Sequence, residues 1–337
     1  MRASWKRIWP VVALIFLVTC GTGIVRSAQS PPRQPVRLVC LPGVPLPVVI
    51  GKAQGIFDRF GIEVSTEKAA NAIALREALG NQSADIAHSS VENAVEAAAS
   101  SGIDDVIVMG GEGSTSELIV QPEIKSVKDL RGHIIILDGL DTAYTLTLKK
   151  ILLLNGIKPG SDCELKVIGL APDRLAAMRE HKEYSATIQK PPTSMLSERA
   201  GLVSLGTTQD LLGMGPFQGI GAFVLRSWAA AHSDLLERYI AAFVESQRWL
   251  MNPANKQQVV EMMMKESHLP QDIADETYSA DVKSGWTPDA RFQTDGFRNV
   301  LALRDEFNPP AAQRPSPEKY YDLSYYQNAL QLLQRQN

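Results

Sequence analysis

From residue 36 onward the hydrophobic positions switch repeatedly between two periods. "VRLVCL", Val36 to Leu41, is a short apolar run and predicts a buried strand. "PGVP" turns the chain. Leu46, Ile50, Ala53 and Phe57 then fall on one helical stripe, with Val49, Ile56 and Phe60 beside it. In "AQGIFDRFGIEV" the helical spacing holds as far as Phe60; beyond Gly61 the apolar residues alternate, and "IEVS" predicts the next strand. Gly61 stands just past the helix end, where a positive φ favours glycine. The unit repeats. "AIALREAL" predicts a helix stopped by Gly80, "ADIAHS" a short strand, "VENAVEAAASSG" a helix and "DVIVMG" a strand.

A second series begins at "HIIILD", His133 to Asp138. The helix "TAYTLTLKKILLLNG" follows; Asp141 or Thr142 can cap its start and Asn155-Gly156 can close it. Strands at "ELKVIG", "YSATIQ" and "GLVSLG" alternate with helices at "APDRLAAMREH" and "PPTSMLSERA". After "GMGPFQGIG" the run "AFVLRS" is strand-like. From Trp228 the pattern is mostly helical, and the broad apolar face of "LLERYIAAFVESQRWL" breaks at Asn252-Pro253. Strand–helix alternation with glycine stops predicts an α/β fold with a largely parallel sheet.

The N-terminus follows a different pattern. Arg2, Lys6 and Arg7 precede a nearly unbroken apolar run from Trp9 to Cys20, and "GTG" follows. That is the layout of a secretory signal peptide, assigned to residues 1–27, and the run is too short to span a bilayer comfortably. "QSPPRQP" makes residues 28–35 a proline-rich tether. Two processing readings stay open. "LVTC" resembles a lipoprotein box that would leave Cys20 lipidated, with Thr19 departing from the usual small residue; the rival is cleavage after Ser27. About 310 residues remain, which suits two domains or one large one. A hydrophobic content of 45% and a mean hydropathy of −0.08 are ordinary for a globular chain. A formal net charge of −3 argues against a general nucleic-acid binder. Cys40 and Cys163 read as buried or idle thiols.

Several stretches, in order, resemble one family. "AQGIFDRFGIEV", "EALGNQSADIAHSS", "IKSVKDLRGHIIIL", "KKILLLNGIKP" and "YSATIQKPP" are similar to segments of the solute-binding proteins of nitrate, sulfonate and taurine ABC importers, which share the thiamine-pyrimidine-synthase-like domain. The chain departs from that family at His181 and Ser185-Ala186, where "G-x-x-x-D-A" is common, and it lacks the cysteine-rich motif of the enzyme branch. The resemblance implies a type II periplasmic binding protein: two α/β lobes, two hinge crossings and a ligand cleft between the lobes. The first crossing is expected near Val120-Gln121 and the second within "GPFQGIG". Lobe one would then hold residues 36–120 and 221–305, lobe two 121–220, and a helical segment at 306–337 would wrap back across both. The resemblance also implies a monomer that serves an ABC permease and its ATPase without a cofactor.

In such a fold the loops after the strands face the crevice. They supply Gly43, Val44 and Pro45 after the first strand, and His88, Ser89 and Ser90 after "ADIA". Asp141, Thr142 and Tyr144 stand at a helix start, and Lys190 follows "YSATIQ". Each has a plainer role open to it: turn, helix cap or solvent-facing lysine. "GGEGSTS" precedes a strand and lacks Gly-Lys-Ser/Thr, so it does not read as a nucleotide loop. The five histidines, at 88, 133, 181, 232 and 268, are scattered without His-Glu-x-x-His, and neither Gly-x-Ser-x-Gly nor Cys-x-x-Cys occurs. Asp104-Asp105 reads as a solvated turn. The expectation is capture of a small polar or anionic organic solute such as a sulfonate or nitrate. The alternatives are an enzyme of the same fold acting on a heteroaromatic metabolite and a ligand-sensing partner of a membrane receptor.

Overall fold

The computed structural model describes Met1 and residues 33–41, 43–113, 116–213, 215–310 and 314–336. The signal, both processing sites, the leader up to Pro32 and Pro42 lie outside the described residues. Arg33–Asn337 forms one compact unit. Its first series runs β1 (Gln34–Cys40), α1 (Leu46–Ala53), α2 (Ile56–Arg59), β2 (Ile62–Lys68), α3 (Ala72–Gly80), β3 (Ile86–Ser90), α4 (Glu92–Ser100) and β4 (Asp105–Gly113). The second runs β5 (Glu117–Val120), β6 (Ile134–Leu137), α5 (Ala143–Leu154), β7 (Glu164–Val167), α6 (Ala171–Glu180), β8 (Tyr184–Gln189), α7 (Thr193–Arg199), β9 (Val203–Thr207) and α8 (Thr208–Leu212). Then come β10 (Gln218–Leu225), α9 (Arg226–Ala231), α10 (Ser233–Met251), α11 (Lys256–Ser267), α12 (Gln271–Ala280), α13 (Thr294–Phe307) and α14 (Ser324–Gln336).

These strands make two five-stranded sheets, ordered β2-β1-β3-β10-β4 and β7-β6-β8-β5-β9. The sheets are mixed rather than simply parallel. β1 runs parallel to β2 and β3, and β6 to β7 and β8. β10 and β5 are each antiparallel to both neighbours. These two are the strands on which the chain enters one sheet from the other. Neither follows a strand of its own sheet through the crossover helix that a parallel neighbour requires.

Sheet membership moves the first expected crossing and narrows the second. β5, expected in the first lobe, pairs with β8 and β9 in the second sheet, so the chain changes sheet before Glu117. "QGIG" is already strand β10, so the return is at the "GPF" end of the expected stretch, after α8 and before Gln218. Gln34 and Pro35 belong to β1 rather than to a tether: they pair with β2 below the level where β3 joins at Leu38, which leaves room for a proline without an N–H.

The helix expected over Leu46–Phe60 is two. Gly55 takes φ +64 between α1 and α2, and Phe57 folds back over Gly51, whose added Cβ would lie 2.5 Å from the Phe57 ring. Gly61 ends α2 with φ +66, as expected. Gly80 does not stop α3; it is the last helical residue, packed against Ile103, and Gln82 takes the positive φ of 62°.

The cores are separate. Val36, Leu38, Phe57 and Val224 pack with Tyr239, Ile240 and Phe243 of α10 on one face of the first sheet, and Leu75, Val95, Phe223, Phe297 and Leu301 pack on the other. The second sheet has its own core of Leu118, Ile135, Leu146, Leu152 and Ile188. The C-terminal segment does not wrap across both sheets. Tyr326, Ala329 and Leu333 of α14 join the α10 core, and Ile107 of β4 hydrogen-bonds the backbone of Tyr320 and Asp322 at 2.9 Å each. Among the described residues the element common to both cores is α13: Phe297 and Leu301 lie in the first, Val300 and Leu303 in the second.

Candidate functional site

Two observations bring the carboxyl ends of the two sheets near each other. Leu46, which opens α1 beyond β1, shares a cluster with Met195 and Leu196 of α7, the helix that follows β8. Glu92, which opens α4 beyond β3, feels Asp138 beyond β6. Burial lifts the Glu92 carboxyl to about 7; Arg304 draws it down, while Glu96 and Asp138 add to the lift. The starts of α1, α4, α5 and α7 therefore border one crevice. Helix starts carry N–H groups without intrahelical partners and the positive end of the helix dipole.

The expected residues divide. Gly43 has open space where a Cβ would stand, so packing does not demand glycine there. Val44 packs half-buried against the first core, and Pro45 is buried at the start of α1. His88 faces away from the crevice. It is 2% exposed, its Nε2 lies 2.7 Å from the Tyr239 hydroxyl, and its ring stacks on Phe243. Burial pushes its pKa down to about 3, so the imidazole is neutral. The cause is strand alternation, which sends His88 to the α10 face and Ser89 to the other. Ser89 is buried, and its hydroxyl accepts from Asn93 Nδ2 at 2.9 Å. Ser90 ends β3 half-buried. Neither serine caps α4, whose cap position is Val91 without a side-chain bond.

Around α5, Asp141 is exposed, 4.0 Å from Lys149 Nζ, and accepts from Asn308 at 3.4 Å. Thr142 is the α5 cap: its hydroxyl accepts from Thr145 N at 3.2 Å and donates to Asp138 at 2.6 Å. Tyr144 is half-buried against the second core. Lys190 is half-buried between β8 and α7, and its carbonyl accepts from Ser194 N at 3.0 Å.

Residues 140–264 match the model of the NMT1-like family. The whole architecture is similar to that of the aliphatic sulphonate binding protein SsuA from Escherichia coli (19% identity, 86% of this chain and 92% of that chain, TM-score 0.69). It is also similar to the nitrate-binding protein NrtA from Synechocystis PCC 6803 (13%, 90% and 90%, TM-score 0.73). A third neighbour is the ligand-binding component of an ABC-type import system from Staphylococcus aureus (16%, 88% and 99%, TM-score 0.71). No curated protein matches the chain in sequence.

The fold is that of the two-lobe periplasmic binding proteins. The lobes meet the crevice with residues that the sequence pattern did not single out. On the second lobe, Arg174 of α6 is 2% exposed. It donates to Thr187 Oγ1 at 2.9 Å, to the Ile188 carbonyl at 3.0 Å and to the Gly169 carbonyl, and burial lowers its pKa. With Asp138, Tyr144, Thr145 and Thr187 it lines a cavity of about 10 Å³, the size of one water. The signal was its i,i+4 spacing to buried Met178 on the inner stripe of α6. On the first lobe, Arg304 of α13 bonds Glu92 at 2.9 Å and Glu96 as well, while its buried Nε has no partner among the described residues. Asn93, in the first turn of α4, accepts from Arg76 Nη1 at 3.2 Å. Among the described residues no group of three or more His, Cys, Asp or Glu could hold a metal ion. Cys40 and Cys163 are free and buried, and no helix of the described residues is long and apolar enough to cross a membrane.

Proposed function

We propose that the protein captures a small polar or anionic organic solute between its lobes by hinge closure and passes it unaltered to an ABC permease and its ATPase. Lobe one comprises residues 34–113 and 218 onward, and lobe two residues 117–212. The carrying observation is that two separate sheets turn their carboxyl ends, and the helix starts beyond them, toward one another. Crevices of this kind bind ligands because orphaned N–H groups and helix dipoles favour anionic or strongly polar groups. Gly43 to Pro45 and Ser90 face the solute from lobe one; Asp141, Tyr144 and Lys190 face it from lobe two. Thr142 and Ser89 act by holding their neighbours, since their oxygens are engaged within the protein. His88 has no part. The N-terminal signal delivers the chain to the periplasm. Either processed form, lipidated at Cys20 or cut after Ser27, leaves the crevice on that side of the membrane. The named binding functions of the sulphonate- and nitrate-binding neighbours support this reading.

A thermal-shift screen tests it, with small sulfonates, nitrate, bicarbonate, pyrimidines and aromatic acids, followed by recovery of the bound compound. Ligand at 100 times its Kd stabilises the folded form by about 2.7 kcal/mol, which reads as a rise in Tm of several degrees. The recovered compound is expected to be chemically unchanged. Conversion to a product would overturn capture in favour of an enzyme of this fold.

A further inference from the structure

The arginines near the crevice differ in how they are neutralised. Arg304 is held by two carboxylates, Glu92 and Glu96. Arg174 is buried and spends its donors on two carbonyls and a hydroxyl. Arg76 is different. Among the described residues its one bond goes to a neutral amide, Asn93 Oδ1, and no carboxylate lies within ion-pair reach. It is also half-buried rather than splayed into solvent.

Its position is fixed from both sides. Arg76 is the fifth residue of α3, and helical side chains lean toward the helix start, which here is the crevice end beyond β2. Asn93 is the second residue of α4 and catches the guanidinium at that level. Asn93 is fixed in turn, because its Nδ2 donates to Ser89 Oγ at 2.9 Å. Ser89 is 1% exposed, and its oxygen is taken as an acceptor. Its own O–H has no acceptor among the described residues. The first turn of α4 is thus flanked by a guanidinium without a counter-charge and by a buried hydroxyl with a donor to spare. An arginine keeps its charge at any physiological pH and matches an oxyanion with two parallel donors.

We infer that Arg76 is the lobe-one recognition residue for an oxyanion head group, a sulfonate or carboxylate, seated at the first turn of α4, with Asn93 as its positioning residue. This rests on the capture reading above and narrows it to organic oxyanions.

The test uses the full mature chain and isothermal titration with methanesulfonate and acetate, against the uncharged isosteres dimethyl sulfone and acetamide. Wild type is expected to bind at least one anion and neither isostere. Arg76→Gln should weaken anion binding at least tenfold, and Arg76→Lys by less, because lysine keeps the charge but loses the fork. Arg179→Gln, at an exposed position in the last turn of α6, should leave affinity unchanged. The thermal midpoint of empty Arg76→Gln reports whether α3 and α4 still pack. Equal anion affinity in wild type and Arg76→Gln overturns the inference while capture stands. So does a variant that weakens binding of charged and uncharged solutes alike, because Arg76 would then only shape the α3–α4 contact. A wild type that takes up only uncharged members of the solute panel also overturns it. If wild type binds nothing in the whole panel, both readings fall together.

Discussion

At the scale of single residues, Asp105 shows how a local pattern and its burial separate. Asp104-Asp105 reads in the sequence as a solvated turn, and that is half true. Asp104 is exposed and pairs with Arg226 at 3.1 Å, whereas Asp105 opens β4 and is buried, its Oδ2 without a partner among the described residues. Burial pushes the Asp105 carboxyl up to about 8 from a usual 3.8; its own backbone N–H and Arg226 pull the other way and Asp104 adds to the rise. The folded form therefore holds this proton more tightly than the unfolded chain does. The stability it gives is complete below pH ~4 and drains away as pH rises through about 8. At about 1.4 kcal/mol per pKa unit, the loss is several kcal/mol. Asp105→Asn should accordingly match wild type in urea melts at pH 4 and exceed it by several kcal/mol, up to roughly 6, at pH 9. Parallel stability profiles for the two proteins would show that no buried carboxyl titrates in that window. The same limit on legibility applies to His88. Its place in "ADIAHSS" was readable, but the face it takes depends on which side of β3 receives α10.

At the scale of elements, periodicity recovered most of the strands and helices, because each is a short amphipathic or buried run ended by a turn residue. Gly61 and Gly156 take the positive φ that the helix ends predicted. What the pattern could not show was direction. β5 and β10 look like any apolar strand, and their reversal comes from the missing crossover helix, which is a property of the path between sheets. Nor could it show close backbone approach. Gly296, in the first turn of α13, lies against the returning crossing: a Cβ there would stand 2.7 Å from Gln218 N and 2.9 Å from Phe217 C. Both are backbone atoms of the segment entering β10, so the contact cannot be relieved by a rotamer change. Gly296→Ala improves helix propensity by about 1 kcal/mol. Overpacking costs about 1–3 kcal/mol and should win, giving net destabilisation in urea melts. A more stable variant would mean that α13 can move off the crossing without loss.

At the scale of the whole molecule, the question is what makes two cores one cooperative unit. Two bridges compete. On one flank Met195 and Leu196 of α7 pack, partly buried, against the cluster of α11 and α12, supported by the exposed Arg199–Asp272 pair. On the other, α13 puts Val300 (8% exposed) and Leu303 (4%) into the second core while Phe297 and Leu301 sit in the first. Buried apolar area outweighs exposed ion pairs, which contribute about 0–1 kcal/mol each. Leu→Ala in a core costs about 2–5 kcal/mol, and Val→Ala somewhat less. The α13 bridge is therefore the stronger. In "TDGFRNVLALRDEF" both stripes follow the same helical spacing, so the sequence shows a wide apolar face but not that it serves two cores. Wild type is expected to unfold in one calorimetric transition, with equal calorimetric and van't Hoff enthalpies. Val300→Ala combined with Leu303→Ala removes side chains from the second core while leaving Phe297 and Leu301 in place. The transition should then broaden or split, with the second-sheet unit melting first. A transition that only moves to lower temperature, still sharp and single, would place the coupling in the α7–α12 flank instead. Removing Met195 and Leu196 would then be what divides the melt.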